Sequence, residues 1–410
     1  MTTQSPPPAM KVPLLDLTQQ YAKIAAEAQS AIERVCRSQQ FILGAQVREL
    51  ELSLARYTGC EHGIGVSSGT DALLLALMAL GIGPGDEVIT STFTFFATAG
   101  TIARLGARPV LCDIDRESFN LSPAHVEEFI ARECEVRGER GDRQVIHRKT
   151  GGRVRAIMPV HLYGQVCEMD AFMDIANRLG LSVIEDAAQA IGARDRKGRM
   201  AGSIGHIGCF SFFPTKNLGA FGDAGLCTTS DRALAERMRI LRVHGMEPKY
   251  HHHLIGGNFR LDELQAAVLN VKLPHLDEWR DARDAHAGQY TERLKASAAA
   301  GAVVPPVAIA GGRHVWNQYV IRAHRRDELR QYLTTAGVGT EIYYPIPLHL
   351  QQCFAYLAYR PGQLPEAERA AREVLALPVF PELSRAQIDH VAGTIERFYT
   401  AAQAPSQQSA

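Results

Sequence analysis

Lys216 stands alone in the run SFFPTKNLGAFGDAG, residues 211–225, with no aspartate or glutamate within six positions on either side. A lysine used as a nucleophile works as the neutral amine, so an apolar surround that lowers its pKa helps, whereas an ion-pair partner would hold it as ammonium. Phe210, Phe212, Phe213 and Phe221 provide that surround. Pro214 prevents a helix, and Gly219, Gly222 and Gly225 let the backbone turn tightly about a ligand. The plainer alternative is a lysine on a surface loop.

Two further stretches could do chemistry. In VSSGTDALLLAL, residues 66–77, a strand gives way to Ser67-Ser68-Gly69-Thr70 and then to a strongly apolar helix. Such a helix start offers unpaired N–H groups, hydroxyls and the positive end of the dipole, which suit a phosphate and suit ordinary N-capping by Ser68 or Thr70 equally well. Asp71 would repel a phosphate unless it points away. In VIEDAAQAIGA, Glu185 and Asp186 fall where a hydrophobic strand ends, the place where open α/β sheets present ligand-binding groups, with Gln189 within reach of the same ligand. A carboxylate in a low-dielectric cleft can keep a heteroaromatic nitrogen protonated; it can also simply cap the next turn.

These residues need a rigid frame, and the pattern supplies one. From residue 62 strands (HGIGVSS, DEVITSTF, ARPVLCDID, VRAIMPVHL, LSVIEDAA, GCFSFF, AGLCTTS) alternate with helices (DALLLALMAL, ATAGTIARL), the rhythm of a covered, largely parallel α/β sheet. The polar stretch from Glu133 to Arg153 interrupts it and predicts an extended loop or small hairpin. After RLDELQAAVLNVKL, with Leu261, Leu264, Val268 and Val271 on one face, long helices run to about Ala299. A smaller α+β unit follows: VWNQYVIR as a strand, RRDELRQYLTTAG as a helix, VGTEIYYP as the next strand. The expected division is a large α/β domain over 11–260, linking helices and a small domain over 261–401, and frayed tails at 1–10 and 402–410.

Composition narrows the function. The 410 residues are 46% hydrophobic and 21% charged, and 44 basic residues balance 44 acidic ones, so no overall charge recruits nucleic acid or an anionic membrane. No apolar run is long enough to cross a bilayer and the N-terminal residues do not read as a signal peptide, which predicts a cytoplasmic protein. Eight scattered cysteines form no CxxC pair, and His251–His253 read as polar loop, so no metal site is expected.

A phosphate grip, a strand-end carboxylate and an isolated lysine on one α/β domain are together what pyridoxal 5'-phosphate requires. With FILG (41–44), SSGTDAL, GIGPGDEVI, TFFATA, PVHLYGQ, VIEDAAQA, FSFFPTKNLG, GDAG, GGNFRLDELQAA, YYPIPLHLQ and LPVFPEL in this order, the chain resembles the DegT/DnrJ/EryC1/StrS sugar aminotransferases. That resemblance implies the pyridoxal-phosphate transferase fold type I, with a mostly parallel seven-stranded sheet and a smaller C-terminal α+β domain. It implies an aminotransferase moving an amino group, from L-glutamate, to a nucleotide-linked keto sugar in amino-sugar biosynthesis. Lys216 would carry the Schiff base and act as acid/base, and Asp186 would pair with the pyridinium nitrogen. Ser68, Gly69, Thr70 and Ser211 would hold the phosphate, Phe95 would stack on the ring and Gln189 would lie beside it. Asn258 would reach the phosphate of a neighbouring subunit, so a homodimer would share its sites. Phe41, Arg260, Tyr343 and Tyr344 would face the substrate.

Two departures from the family pattern stand out. Gly222-Asp223-Ala224-Gly225 replaces Gly-Asp-Gly-Gly, and Tyr343 stands where relatives acting on 3-keto-uronic sugars often have histidine, although Arg260 matches their carboxylate-contacting arginine. Two other readings stay open: a dehydratase or deoxygenase on the same scaffold, whose relatives can carry histidine in place of the lysine, and a ligand-binding regulatory protein without turnover. His161 and Tyr163 in VHLYGQ suit core filling and substrate contact alike, while Arg322, Trp316 and Gln318 read as packing.

Overall fold

The computed structural model describes residues 10–139, 143–297 and 299–403; the expected tails lie outside these apart from Met10 and the last helical residues. Two helices open the chain, α1 (Thr18–Ser38) and α2 (Ala45–Thr58). The second is capped from a distance. Buried Glu263 accepts N–H bonds from Gly44 (2.8 Å), Gln46 (2.6 Å) and Val47 (3.2 Å), supplying the partners that a first turn lacks.

The α/β alternation then begins: β1 (His62–Val66), α3 (Gly69–Ala79), β2 (Asp86–Ser91), α4 (Ala97–Arg104), β3 (Arg108–Cys112) and α5 (Pro123–Glu133). The polar stretch follows as a hairpin, β4 (Cys134–Arg137) and β5 (Gln144–His147), whose turn at 140–142 is outside the described residues. Next come β6 (Arg153–Met158), α6 (Met169–Leu179), β7 (Ser182–Asp186), β8 (Ile207–Ser211), β9 (Gly225–Thr229) and α7 (Arg232–Leu241).

Seven of these strands run in the order β1-β9-β8-β7-β6-β2-β3, all parallel except β9, which is antiparallel to both neighbours. The hairpin extends the sheet to nine strands: β5 pairs antiparallel with Arg153 and Val154 of β6, ahead of the point where β7 begins its own pairing at Ala156. Helices bury their apolar faces on the sheet in two clusters, one around Phe172, Phe210 and Phe212, the other around Leu73, Leu77 and Met238.

The outer edge, β3, is blunted. Its backbone positions facing away from β2 are Pro109, which has no N–H, and Leu111, whose N–H and carbonyl are both taken by the Tyr359 hydroxyl (3.0 and 3.1 Å).

Beyond the sheet, α8 (Glu263–Lys272) packs on α1 and α2 and leads into α9 (Leu276–Ala296). The remaining unit comprises β10 (Val303–Val304), β11 (Tyr319–Ala323), α10 (Arg326–Thr335), α11 (Pro365–Glu373), β12 (Val374–Leu377) and α12 (Arg385–Gln403), with an antiparallel sheet β10-β11-β12. Here the structure corrects the sequence reading: VGTEIYYP is not a strand. It makes isolated bridges at Val338 and Glu341 and then turns away, because Tyr343 and Tyr344 pack against Phe93, Phe119 and Tyr163 in a cluster facing the large sheet. The third strand is VLAL, 374–377. No described helix is long and apolar enough to cross a membrane.

Candidate active site

Three of the singled-out groups meet at the C-terminal ends of parallel strands: Ser67–Thr70 after β1, Asp186 closing β7, and Lys216 in the loop after β8. Ser68 caps α3, its Oγ accepting the Asp71 N–H at 3.1 Å. Asp71 turns its carboxylate back onto the Ser67 hydroxyl (2.6 Å) and so leaves the helix mouth to an anion. The mouth is walled by contacts that only glycine permits. A Cβ on Gly69 would lie 2.6 Å from that of Ser211, and one on Gly225 would strike the Ser68 carbonyl. Free N–H groups, two serine hydroxyls and a floor without side chains make a cradle that fits a phosphate.

Asp186 is buried at 5% exposure, with Oδ2 accepting the Thr98 hydroxyl (2.8 Å) and Oδ1 the Ala188 N–H (3.2 Å). Burial raises its pKa, and the Thr98 bond pulls the other way. The capping alternative is thus half true, since one oxygen does serve the following turn. Burial lowers Lys216 to about 8, opposed by the charge of Asp186. Lys272 holds the lysine loop from behind: its buried ammonium donates to the Gly219 carbonyl (2.7 Å) and lies 4.8 Å above the Phe221 ring. Nothing in the sequence marks this residue except a lysine within an apolar helical run. Ala224 is 1% exposed and its φ is not positive, so the methyl fits.

Phe95 is 58% exposed beside Tyr344, with ring centroids 6.3 Å apart, leaving a bare aromatic face over the cleft. Gln189 is occupied on both sides, accepting the Tyr163 N–H (2.6 Å) and donating to the Tyr344 hydroxyl (3.2 Å). Tyr163 is core and strut together. At φ 59° it donates its hydroxyl to the Tyr343 carbonyl, and its own carbonyl accepts the Asn317 N–H (2.9 Å). His161 belongs to the frame: it is fully buried, its Nδ1 accepts the Cys167 N–H, and its Nε2 therefore donates to Glu185 (2.8 Å). Glu185 also accepts the N–H groups of Gly202, Ile204 and Gly205.

The remaining residues lie apart from this cluster. Asn258 is exposed and accepts the Arg260 Nε–H (2.8 Å); their segment runs beside the end of β1, with Ser67 N–H bonded to the Phe259 carbonyl. Phe41 is 38% exposed near the start of α8, its carbonyl accepting the Glu263 N–H. Trp316 is core, and Arg322 spans to the Arg116 carbonyl over Phe119.

Fold and cradle together define a pyridoxal-phosphate enzyme of fold type I. The chain belongs to the DegT/DnrJ/EryC1/StrS aminotransferase family, whose profile matches residues 22–396. It is 51% identical over 390 residues to the "Pleiotropic regulatory protein" of Geobacillus stearothermophilus, covering 95% of this chain and 99% of the relative. A UDP-N-acetyl-3-dehydro-alpha-D-glucosamine 3-aminotransferase of Acidithiobacillus ferrooxidans is 44% identical over 94% of this chain and 97% of its own. Among solved structures, Streptomyces venezuelae DesV in complex with a ketimine intermediate superposes with a TM-score of 0.86 at 42% identity, covering 95% of this chain and 98% of the other. The protein is a pyridoxal-phosphate-dependent aminotransferase.

Proposed function

We propose that this aminotransferase carries an amino group from L-glutamate to the ketone of a nucleotide-linked sugar, in amino-sugar biosynthesis. The convergence of Lys216, Asp186 and the Ser68–Ser211 cradle at one end of the sheet carries the reading, and the Acidithiobacillus relative is named for chemistry of this class. When bound, the cofactor supplies an electron sink for the carbon being deprotonated. Gly69, Thr70, Ser68 and Ser211 hold its phosphate. Asp186, fixed by Thr98, holds a proton on the ring nitrogen. Phe95 would cover the ring, and Gln189, braced by Tyr163, would lie beside it. Lys216 would hold the cofactor's aldehyde carbon and would serve as the group that moves a proton at its Nζ, a task suited to an amine whose pKa is near 8.

The active unit is a homodimer. Exposed Tyr21, Phe41, Ile42 and Phe221 form an apolar border beside α8, suited to a second copy that brings Asn258 to the phosphate. Phe41, Arg260, Tyr343 and Tyr344 face the sugar nucleotide. Arg260 would serve a uronate carboxylate. All eight cysteines are unpaired, consistent with a reducing, cytoplasmic setting.

The retained lysine disfavours dehydration, and the full cofactor set disfavours a silent regulator. The test is direct. Holoenzyme treated with L-glutamate and freed of product is mixed with a panel of keto-sugar nucleotides, neutral and uronic. Release of an amino sugar, abolished in Lys216→Ala, is expected. A protein that binds no cofactor, or one that takes glutamate's amino group and passes it to no keto sugar, refutes the proposal.

A further inference from the structure

Away from the cofactor cradle, a cavity of about 230 Å³ opens where α6 begins. Its walls are the 165–171 segment, the 194–196 turn and the lead-in to β11. Arg194 and Arg313 stand at its edge as an antiparallel bridge pair that exchanges both backbone bonds (3.1 and 2.8 Å). Such a pair projects its side chains to the same face about 5 Å apart, and like charges directly opposite are destabilising. Neither guanidinium has a carboxylate partner among the described residues. The nearby acids are spoken for: Glu168 by Arg196 (3.7 Å), Asp170 by Lys197 and Arg199 (2.8 and 2.7 Å), Asp195 by Arg199 (2.6 Å).

A second observation comes from inside the cavity. His314, 8% exposed, stacks on Trp316 and accepts the Trp316 N–H on Nδ1 (2.9 Å), so Nε2 bears the hydrogen. Among the described residues this N–H has no acceptor. Burial holds the ring neutral, with its pKa lowered to about 3, so it remains a single-proton donor. The start of α6 carries no side-chain cap; the Cys167 and Glu168 carbonyls take the Met169 and Ala171 N–H groups (2.7 and 3.1 Å), which leaves the Asp170 N–H at the mouth of the same space. Two paired arginines, of which Arg194 reaches only the Gly198 carbonyl (3.5 Å), an unanswered imidazole N–H and the Asp170 N–H share one need: a multivalent oxygen acceptor.

We propose that this cavity binds a small organic dianion, phosphate- or carboxylate-bearing, clasped by Arg194 and Arg313 and reached by His314 Nε2–H and the start of α6. Its position makes it an effector site. The lead-in to β11 continues into Val315, bonded to the Gly164 carbonyl (2.9 Å), and Asn317, bonded to that of Tyr163 (2.9 Å). An anion binding 194 to 313 therefore tightens the seat of the residue that braces Gln189 and Tyr343.

The test uses cofactor-loaded enzyme, so that the phosphate cradle is already filled, titrated calorimetrically at low ionic strength with inorganic phosphate and, separately, with succinate. Saturable binding of at least one is expected, weakened about tenfold or more in R194Q and in R313Q and unchanged in K23Q on the distant α1. Phosphate alone binding identifies a phosphate ligand; succinate alone, a carboxylate. No saturable heat with either anion up to about 10 mM, or binding that survives both arginine substitutions, overturns the proposal.

Discussion

With Lys216 as the proposed cofactor-bonding amine, its neutral fraction should set how readily the apoprotein captures the cofactor, because only the free amine attacks an aldehyde. With burial lowering its pKa to about 8, the capture rate measured by stopped-flow absorbance should climb as pH rises through 8 and level off above it. Asp186 stabilises the ammonium, so Asp186→Asn should move that midpoint downward; an upward move would contradict the assignment. Thr98→Val removes a hydroxyl donor to a buried carboxylate. The loss of about 1.5 kcal/mol should weaken cofactor affinity about tenfold, read by equilibrium dialysis. That Lys216 and Asp186 stand out as candidates was legible in the sequence because their signals are local, a lysine without acids and a carboxylate at a strand end; the fold adds that both lie at one end of the sheet. Thr98 was not legible: its partner lies 88 residues away, and ATAGTIARL reads only as a helix. The two open readings of His161 close for the same reason, since only the fold brings it to Glu185.

At the scale of elements, β7 presents two carboxylates with opposite duties. Asp186, bonded to Thr98, is the proposed partner of the cofactor ring, while Glu185 ties the strand to His161 and to the 202–205 turn through four donors. Glu185→Ala leaves those donors unanswered in a dry interior and should cost about 3–5 kcal/mol in urea unfolding. Gly225→Ala tests the cradle differently. The added methyl collides with the Ser68 carbonyl, so cofactor binding should fall far more than the unfolding midpoint does. The alternating strands and helices of the large sheet were readable from hydrophobic period; the polar stretch left an extended loop and a small surface hairpin both open, and the fold makes it a hairpin that joins the sheet. What period could not show was that VGTEIYYP, as β-rich in composition as any strand here, would spend its aromatics on the cleft; that depends on Phe93 and Tyr163 being within reach.

Across the whole molecule, a shared site has a stoichiometric signature. Mixing subunits that carry Lys216→Ala with others carrying Asn258→Ala should restore activity to about a quarter of wild type, since half of the randomly formed dimers hold one intact site. No recovery, with mixed dimers shown by mass, would place Asn258 in its own subunit's site. The outer edge of the large sheet bears on a different kind of company. A strand with open donors and acceptors is a template on which any extended chain can lengthen the sheet. Pro109 and the Tyr359 hydroxyl remove most of that template from β3, so copies of this protein crowded together find no rail along this edge, and Tyr359→Phe would reopen it.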